Sequence, residues 1–174
     1  MFHFLFILAY ANLFITSKAP GIEFTKDSLR IAVNKWVSNK AEAMEEYGDV
    51  RHWDAGKVTN MESLFHSKNT FNENLSEWDT ANMTRMHGMF NKAGSFNGNI
   101  SKWDPSQVTR MTRMFERTSA FNIDISEWDI SGVNDMTAPF NGAVAFNQQL
   151  CWDMSGTMHT RDMFNASPRS IECD

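Results

Sequence analysis

The side chains able to do chemistry in this 174-residue chain fall into one repeated column and a scatter. Asp54, Asp79, Asp104, Asp129 and Asp153 each follow a Trp, at Trp spacings of 25, 25, 25 and 24. One carboxylate per repeat is oxygen-ligand chemistry, and a stacked ladder of them would suit Ca²⁺. The competing role is a cap, in which each Asp side chain bonds the backbone of the turn that follows it. Calcium β-rolls interleave several Gly and Asp in each short repeat, and no such pattern occurs here, which favours the cap. The histidines are His3, His52, His66, His87 and His159, and none pairs with a second His or a Cys at metal-ligand spacing. Gly-x-Ser-x-Gly, the phosphate-binding Gly-Lys-Ser/Thr loop and Gly-x-Gly-x-x-Gly are all missing. Nothing singles out a Ser-His-Asp set. The chain is therefore expected not to be an enzyme, with no cofactor and no metal.

The elements that position the Asp column are copies of one unit. Counting from each Trp (Trp53, Trp78, Trp103, Trp128, Trp152), position +5 holds Val58, Met83, Val108, Val133 and Thr157. Position +8 holds Met61, Met86, Met111, Met136 and Thr160. Positions +11 and +12 hold Leu64-Phe65, Met89-Phe90, Met114-Phe115, Pro139-Phe140 and Met163-Phe164. A Phe-Asn pair recurs at Phe71-Asn72, Phe96-Asn97, Phe121-Asn122 and Phe146-Asn147, and Leu75, Ile100, Ile125 and Leu150 close the units. The 14 Phe, 12 Met and 6 Trp against 2 Tyr are the compositional trace of that copying.

Each unit carries too few apolar side chains to make a core alone, so neighbours must stack to bury them. A 25-residue period predicts one coil of a repeat solenoid, leucine-rich-repeat-like. The Val-to-Met-Phe run, spaced three and four, predicts a turn or two of α- or 3₁₀-helix. The Ile/Leu-Ser-x-Trp-Asp stretch predicts a short strand that stacks parallel to its copies about 4.8 Å apart. The Trp residues are expected inside, as a core ladder, against the alternative of an exposed strip that stacks on sugar rings. The Asn of the Phe-Asn pairs is expected as a buried column that pairs loop backbone. A Trp-Asp propeller is excluded, because its blades need about 40–45 residues.

The unit Trp-Asp-x-x-x-Val-Thr-x-Met-x-x-Met-Phe-x-x-Ala-x-x-Phe-Asn-x-x-Ile-Ser-x resembles the repeat of BspA-like leucine-rich-repeat surface proteins, common on mycoplasma surfaces. Residues 76–101 match it almost position for position, and the resemblance covers about residues 47–165. It implies a leucine-rich-repeat-like solenoid at or outside the cell surface, and it carries over no catalytic residue. The last unit departs, with Thr160 for Met and Ser170 where Phe is expected, which reads as a terminal cap.

Three segments follow: 1–19 as a signal peptide, 20–49 as an N-terminal α-helical cap, and 50–174 as the repeat array with its C-terminal cap. Phe2 to Ile15 is apolar but short of the roughly 20 residues that span a bilayer, and Ser17 and Ala19 supply small residues for cleavage. The mature chain is then expected to have no transmembrane span. In the cap, Thr25 is the expected N-cap, Phe24 and Leu29 the staple, and Leu29, Ala32, Val33, Trp36 and Val37 the apolar stripe. Ala41 to Tyr47 is a second short helix stopped by Gly48.

Partners follow from charge. With 16 Lys plus Arg against 21 Asp plus Glu, the net charge of −5 argues against nucleic acid. Arg85, Arg110 and Arg113, near Lys92 and Arg117, form the one basic cluster, either a contact for an anionic group on a partner or a solvated face. Asn74, Asn82, Asn99 and Asn165 stand in Asn-x-Ser/Thr sequons, glycan sites in a eukaryotic secretory pathway and otherwise a by-product of the repeat. Cys151 and Cys173, the only cysteines, hold nearly equivalent places on adjacent units and are expected to form a disulfide. The function these features suggest is an extracellular or cell-surface repeat protein that binds a protein or surface glycan. The alternative is a structural coat protein without a specific ligand.

Overall fold

In the computed structural model, which describes residues 22–156 and 159–168, each repeat folds into a coil of tight turns. Coil 3 shows the pattern. The N–H groups of Trp103, Val108, Met114, Glu116, Thr118 and Phe121 each donate to the carbonyl three residues back, at 2.8–3.3 Å. Two positions per coil are left-handed. At +10, Ser63, Gly88, Arg113, Ala138 and Asp162 have φ between 54° and 57°. At +14, Ser67, Lys92, Arg117, Gly142 and Ala166 have φ between 55° and 72°.

This corrects the expected leucine-rich-repeat-like solenoid of parallel strands and short helical segments. Among the described residues there is no strand. The coils meet through single parallel bridges, Asn60–Arg85, Arg85–Arg110, Arg110–Asp135 and Asp135–His159. The only helices described are two α-helices and one 3₁₀ turn, all before Trp53. The physical reasons are local. The Val-to-Met-Phe run cannot be helical, because a right-handed helix cannot pass through a left-handed residue at +10. Its three-and-four spacing comes instead from successive turns that return +5, +8, +11 and +12 to the inner side. The stretch expected as a strand closes on itself: Trp78, Trp103 and Trp128 donate to Leu75, Ile100 and Ile125 carbonyls at 3.1 Å. The Asp that follows then starts another turn.

What replaces sheet pairing is a ribbon of parallel hydrogen bonds. Met86, Gly88, Phe90 and Lys92 donate to the carbonyls of Arg110, Thr112, Met114 and Glu116 at 2.8–3.3 Å. The same four bonds recur at each of the four coil junctions. Side chains stack in the same register. Phe65, Phe90, Phe115, Phe140 and Phe164 form one column, with centroids 5.1–5.7 Å apart. Phe71, Phe96, Phe121 and Phe146 form a second, at 5.7–6.2 Å. The two columns pack on each other within each of coils 1–4, at 3.9–4.3 Å.

The first coil is covered by α1 (Lys26–Ser38) and α2 (Lys40–Tyr47). Thr25 caps α1 in a capping box with Ser28, and Leu29, Ala32, Val33 and Trp36 are buried. Gly48, with φ 72°, ends α2. Phe24, Trp36 and Tyr47 close on Trp53 with centroids 5.2, 5.7 and 5.9 Å away. Arg30 finishes the exposed end of the ribbon. Its guanidinium donates to the carbonyls of Glu62 at 2.6 Å and Ser63 at 3.1 Å. A cation thus sits where coil 1 presents carbonyls and has no preceding coil.

The left-handed positions make a discriminating prediction. Gly88 has open space for a Cβ, with Ser63 Oγ 3.5 Å away, but its φ is +57°. Gly88→Ala should lower the free energy of unfolding by about 1 kcal/mol, the cost of left-handed backbone for an L-residue. In a helix the same change would raise it by about 0.8–1 kcal/mol. Urea melts of the two proteins distinguish these outcomes by sign.

Candidate interaction face

The repeated residues are occupied by structure. Asp54, Asp79, Asp104, Asp129 and Asp153 each accept from the backbone N–H two residues on, at 2.9–3.2 Å. These bonds, from the hydroxyl and backbone of Ser131 and from the backbone and hydroxyl of Ser155, hold Asp129 and Asp153 below the usual carboxylate range. Among the described residues no group of three or more His, Cys, Asp or Glu is placed to hold a metal ion. Asn97, Asn122 and Asn147 backbone N–H groups donate to the Asn72, Asn97 and Asn122 side chains at 2.8–2.9 Å. The asparagine ladder pairs loop backbone as expected, but it is not buried: Asn72, Asn97 and Asn147 are exposed.

The Trp column is interior. Trp53, Trp78, Trp103 and Trp128 are only 3–4% exposed and stack at 6.4–6.5 Å. Each indole N–H donates into the preceding turn: Trp53 to Gly48, Trp78 to Val50, Trp103 to Leu75 and Trp128 to Ile100, at 2.7–3.3 Å. Buried donors so paired leave no aromatic strip for sugar stacking.

The sequons are all at exposed Asn residues. Asn74 and Asn99 side chains accept from Ser76 and Ser101 backbone at 2.9 Å, and Asn82 donates to the Gly56 carbonyl at 2.9 Å. The backbone of Asn165 accepts from Gly142 at 2.8 Å. Cys151 is not a free thiol. Its expected partner Cys173 lies outside the described residues, as does the 1–19 segment read as a signal peptide.

Several exposed cations lie along the ribbon. In coils 1–4 the inner positions +8, +11 and +12 are buried, whereas Arg85 and Arg110 at +7, Arg113 at +10, and Lys92 and Arg117 at +14 are exposed. The bridge between Arg85 and Arg110 sets these two cations side by side on coils 2 and 3. Arg113 follows three residues along coil 3. The bond from Lys92 N–H to the Glu116 carbonyl, 2.8 Å, brings Lys92 beside Arg117. The structure therefore sets Arg85 beside Arg110 and Lys92 beside Arg117, with Arg113 between the two rows along coil 3.

Two acids border the cluster. Arg110 Nε lies 3.7 Å from Asp135 Oδ2, and Arg113 Nε 3.6 Å from Glu116 Oε2, with the arginine side chains 51% and 58% exposed. Burial works against the charge of Asp135. Hydrogen bonds from the Thr137 backbone and hydroxyl, with Arg110 nearby, more than offset it and hold the carboxyl below its usual range. The two carboxylates are more buried, at 21% and 17%, so each pair is open to solvent on its arginine side. Arg85, Lys92 and Arg117 have no ion-pair partner among the described residues. Position +13 was not singled out by its sequence: Asn91 donates to Glu116 at 2.8 Å, and its variation from unit to unit (His66, Asn91, Glu116, Asn141) carries no motif.

The family model described as "Mycoplasma protein of unknown function, DUF285" matches residues 32–152, from inside α1 to the fifth Trp. The chain belongs to the DUF285 family. No curated protein and no solved structure is significantly similar to it. The match takes in the second half of α1, all of α2 and the first four coils, so this DUF285 member carries its basic cluster inside the matched region. No helix among the described residues is long and apolar enough to cross a membrane.

Burial of the Trp column is directly measurable. Emission from the folded chain should be blue-shifted and should resist iodide quenching. A red-shifted, freely quenched spectrum would mean that the indoles face water.

Proposed function

We propose that the chain is a non-catalytic, extracellular or cell-surface interaction module that meets a protein or surface glycan through the outer side of its turn ribbon. The observation that carries this reading is the clustering of five cations on two adjacent coils of a chain whose net charge is −5. The remaining repeated side chains are committed to the core or to turns, and what varies from coil to coil is this face. The clefts support the absence of catalysis. The larger, about 350 Å³, lies between the cap and coil 1, and the smaller, about 160 Å³, is lined by Trp36, Lys40, Phe71 and Glu73. Neither is lined by a His or a Cys, and neither holds a residue of the basic cluster. The BspA-like character of the unit and the apolar start of the chain support a place outside the cell, reached by the secretory pathway. A Cys151–Cys173 bridge would suit the same oxidising environment.

The test is an array of glycans and purified extracellular-matrix proteins probed with the labelled chain. Saturable binding is expected, weakened at least tenfold by Arg85→Gln, Arg110→Gln and Arg113→Gln combined, with the melting temperature within a few degrees of the parent. Binding that the triple variant leaves intact would move the site elsewhere. An empty array would favour a coat protein without a ligand.

A further inference from the structure

Resting on that reading, we infer that the ligand of the ribbon face is an acidic polysaccharide, a chain bearing both carboxylate or sulfate groups and free hydroxyls. Three features of the face select it. The first is charge. Arg85 and Arg110 are bridged neighbours, and Lys92 and Arg117 are brought together by the next bonds of the same ribbon. Within each pair the backbones lie about one strand spacing apart, ~4.8 Å, so the face presents two short rows of two cations along the coil axis. A polymer with a charge on successive units meets them without each coil having to adjust.

The second is an orphaned acceptor on the residue before Lys92, a residue whose side-chain amide bonds the Glu116 that pairs with Arg113. Asn91 is only 7% exposed, and its Oδ1 has no hydrogen-bond partner, although its Nδ2 is held by Glu116. On the same coil, His87 Nδ1 is likewise buried and unpaired. A buried polar atom left unsatisfied costs roughly 1–3 kcal/mol and calls for an explanation in function. Cations recruit anions, but an amide oxygen needs a donor, and a sugar hydroxyl supplies one beside its acid group.

The third is the lack of any apolar anchor. Peptide partners dock aromatic or aliphatic side chains into pockets. The larger cleft reaches this face only at Asn60, the bridge neighbour of Arg85, and neither cleft is lined by a cation of the cluster. Among the described residues the large exposed apolar ones are Ile22, Ile31, Met44 and Val144, none of them between the cations. Single-stranded nucleic acid would need exposed aromatics for its bases, and the Trp and Phe columns of these coils are interior.

Three probes separate the classes: chondroitin sulfate, neutral dextran, and poly-glutamate, which has the charge without the hydroxyls. The intact immobilised chain should bind chondroitin sulfate saturably and more weakly as salt rises. It should ignore dextran and bind poly-glutamate at least tenfold more weakly. Arg85→Gln with Arg110→Gln should lower the chondroitin sulfate affinity at least tenfold at unchanged melting temperature. Asn91→Ala should lower it severalfold while leaving poly-glutamate binding unaltered. Poly-glutamate bound as tightly as chondroitin sulfate would overturn the polysaccharide inference and leave the interaction reading standing, with an acidic protein as partner. No binding to any probe, while the array finds another ligand, would do the same. Failure of both experiments would overturn both.

Discussion

Everything in this molecule depends on four N–H groups per coil finding four carbonyls on the next. Without a following coil, the amides at +8, +10, +12 and +14 have no partner in their own turns, because those turns use the alternate amides. A coil alone would thus leave both its apolar side chains and half its ribbon amides in water. The second coil satisfies both needs at once, since the register that aligns Met86 N–H with the Arg110 carbonyl also places Phe90 on Phe115 and Trp78 on Trp103. Hydrogen bonding and packing enforce the same offset, which is why a 25-residue spacing is kept so closely.

The same logic explains the N-terminal end. Coil 1 presents carbonyls with no preceding coil, an edge that other chains could pair with. Arg30 covers one of them, at Glu62, and bonds the adjacent Ser63 carbonyl, and Phe24, Trp36 and Tyr47 finish the Trp column. The cap therefore continues the stack in a different chemistry. With the interior settled by repetition, the outward positions are free to differ. The basic patch at coils 2 and 3 is where they differ most in charge.

The cap and the ladders were legible because their signals are chemical. Thr25 with a staple at Phe24 and Leu29 marks an N-terminus, and Trp and Phe at a fixed period must stack. The Asp at each Trp-Asp was legible as a turn cap for the same reason. Coil geometry was not, because its decisive feature is a backbone angle that residue types conceal. Of the ten left-handed positions only Gly88 and Gly142 are glycines, and Arg113, Lys92 and Arg117 are ordinary helix formers. Three-and-four spacing in such company reads as a helix, and Ile-Ser-x-Trp reads as a strand. The basic cluster was legible because its pairs, Arg85 with Arg110 and Lys92 with Arg117, are each one 25-residue period apart. The orphaned oxygen of Asn91 had no sequence signal at all.

The central claim is that these amides bond between coils and not along a helix. Scalar coupling across hydrogen bonds reports each donor and its acceptor directly. In the labelled, deuterated chain, the amides of Met86, Gly88, Phe90 and Lys92 should couple to the carbonyl carbons of Arg110, Thr112, Met114 and Glu116. Coupling from Phe90 to the Met86 carbonyl, four residues back in the same coil, would mean a helix and would contradict the account.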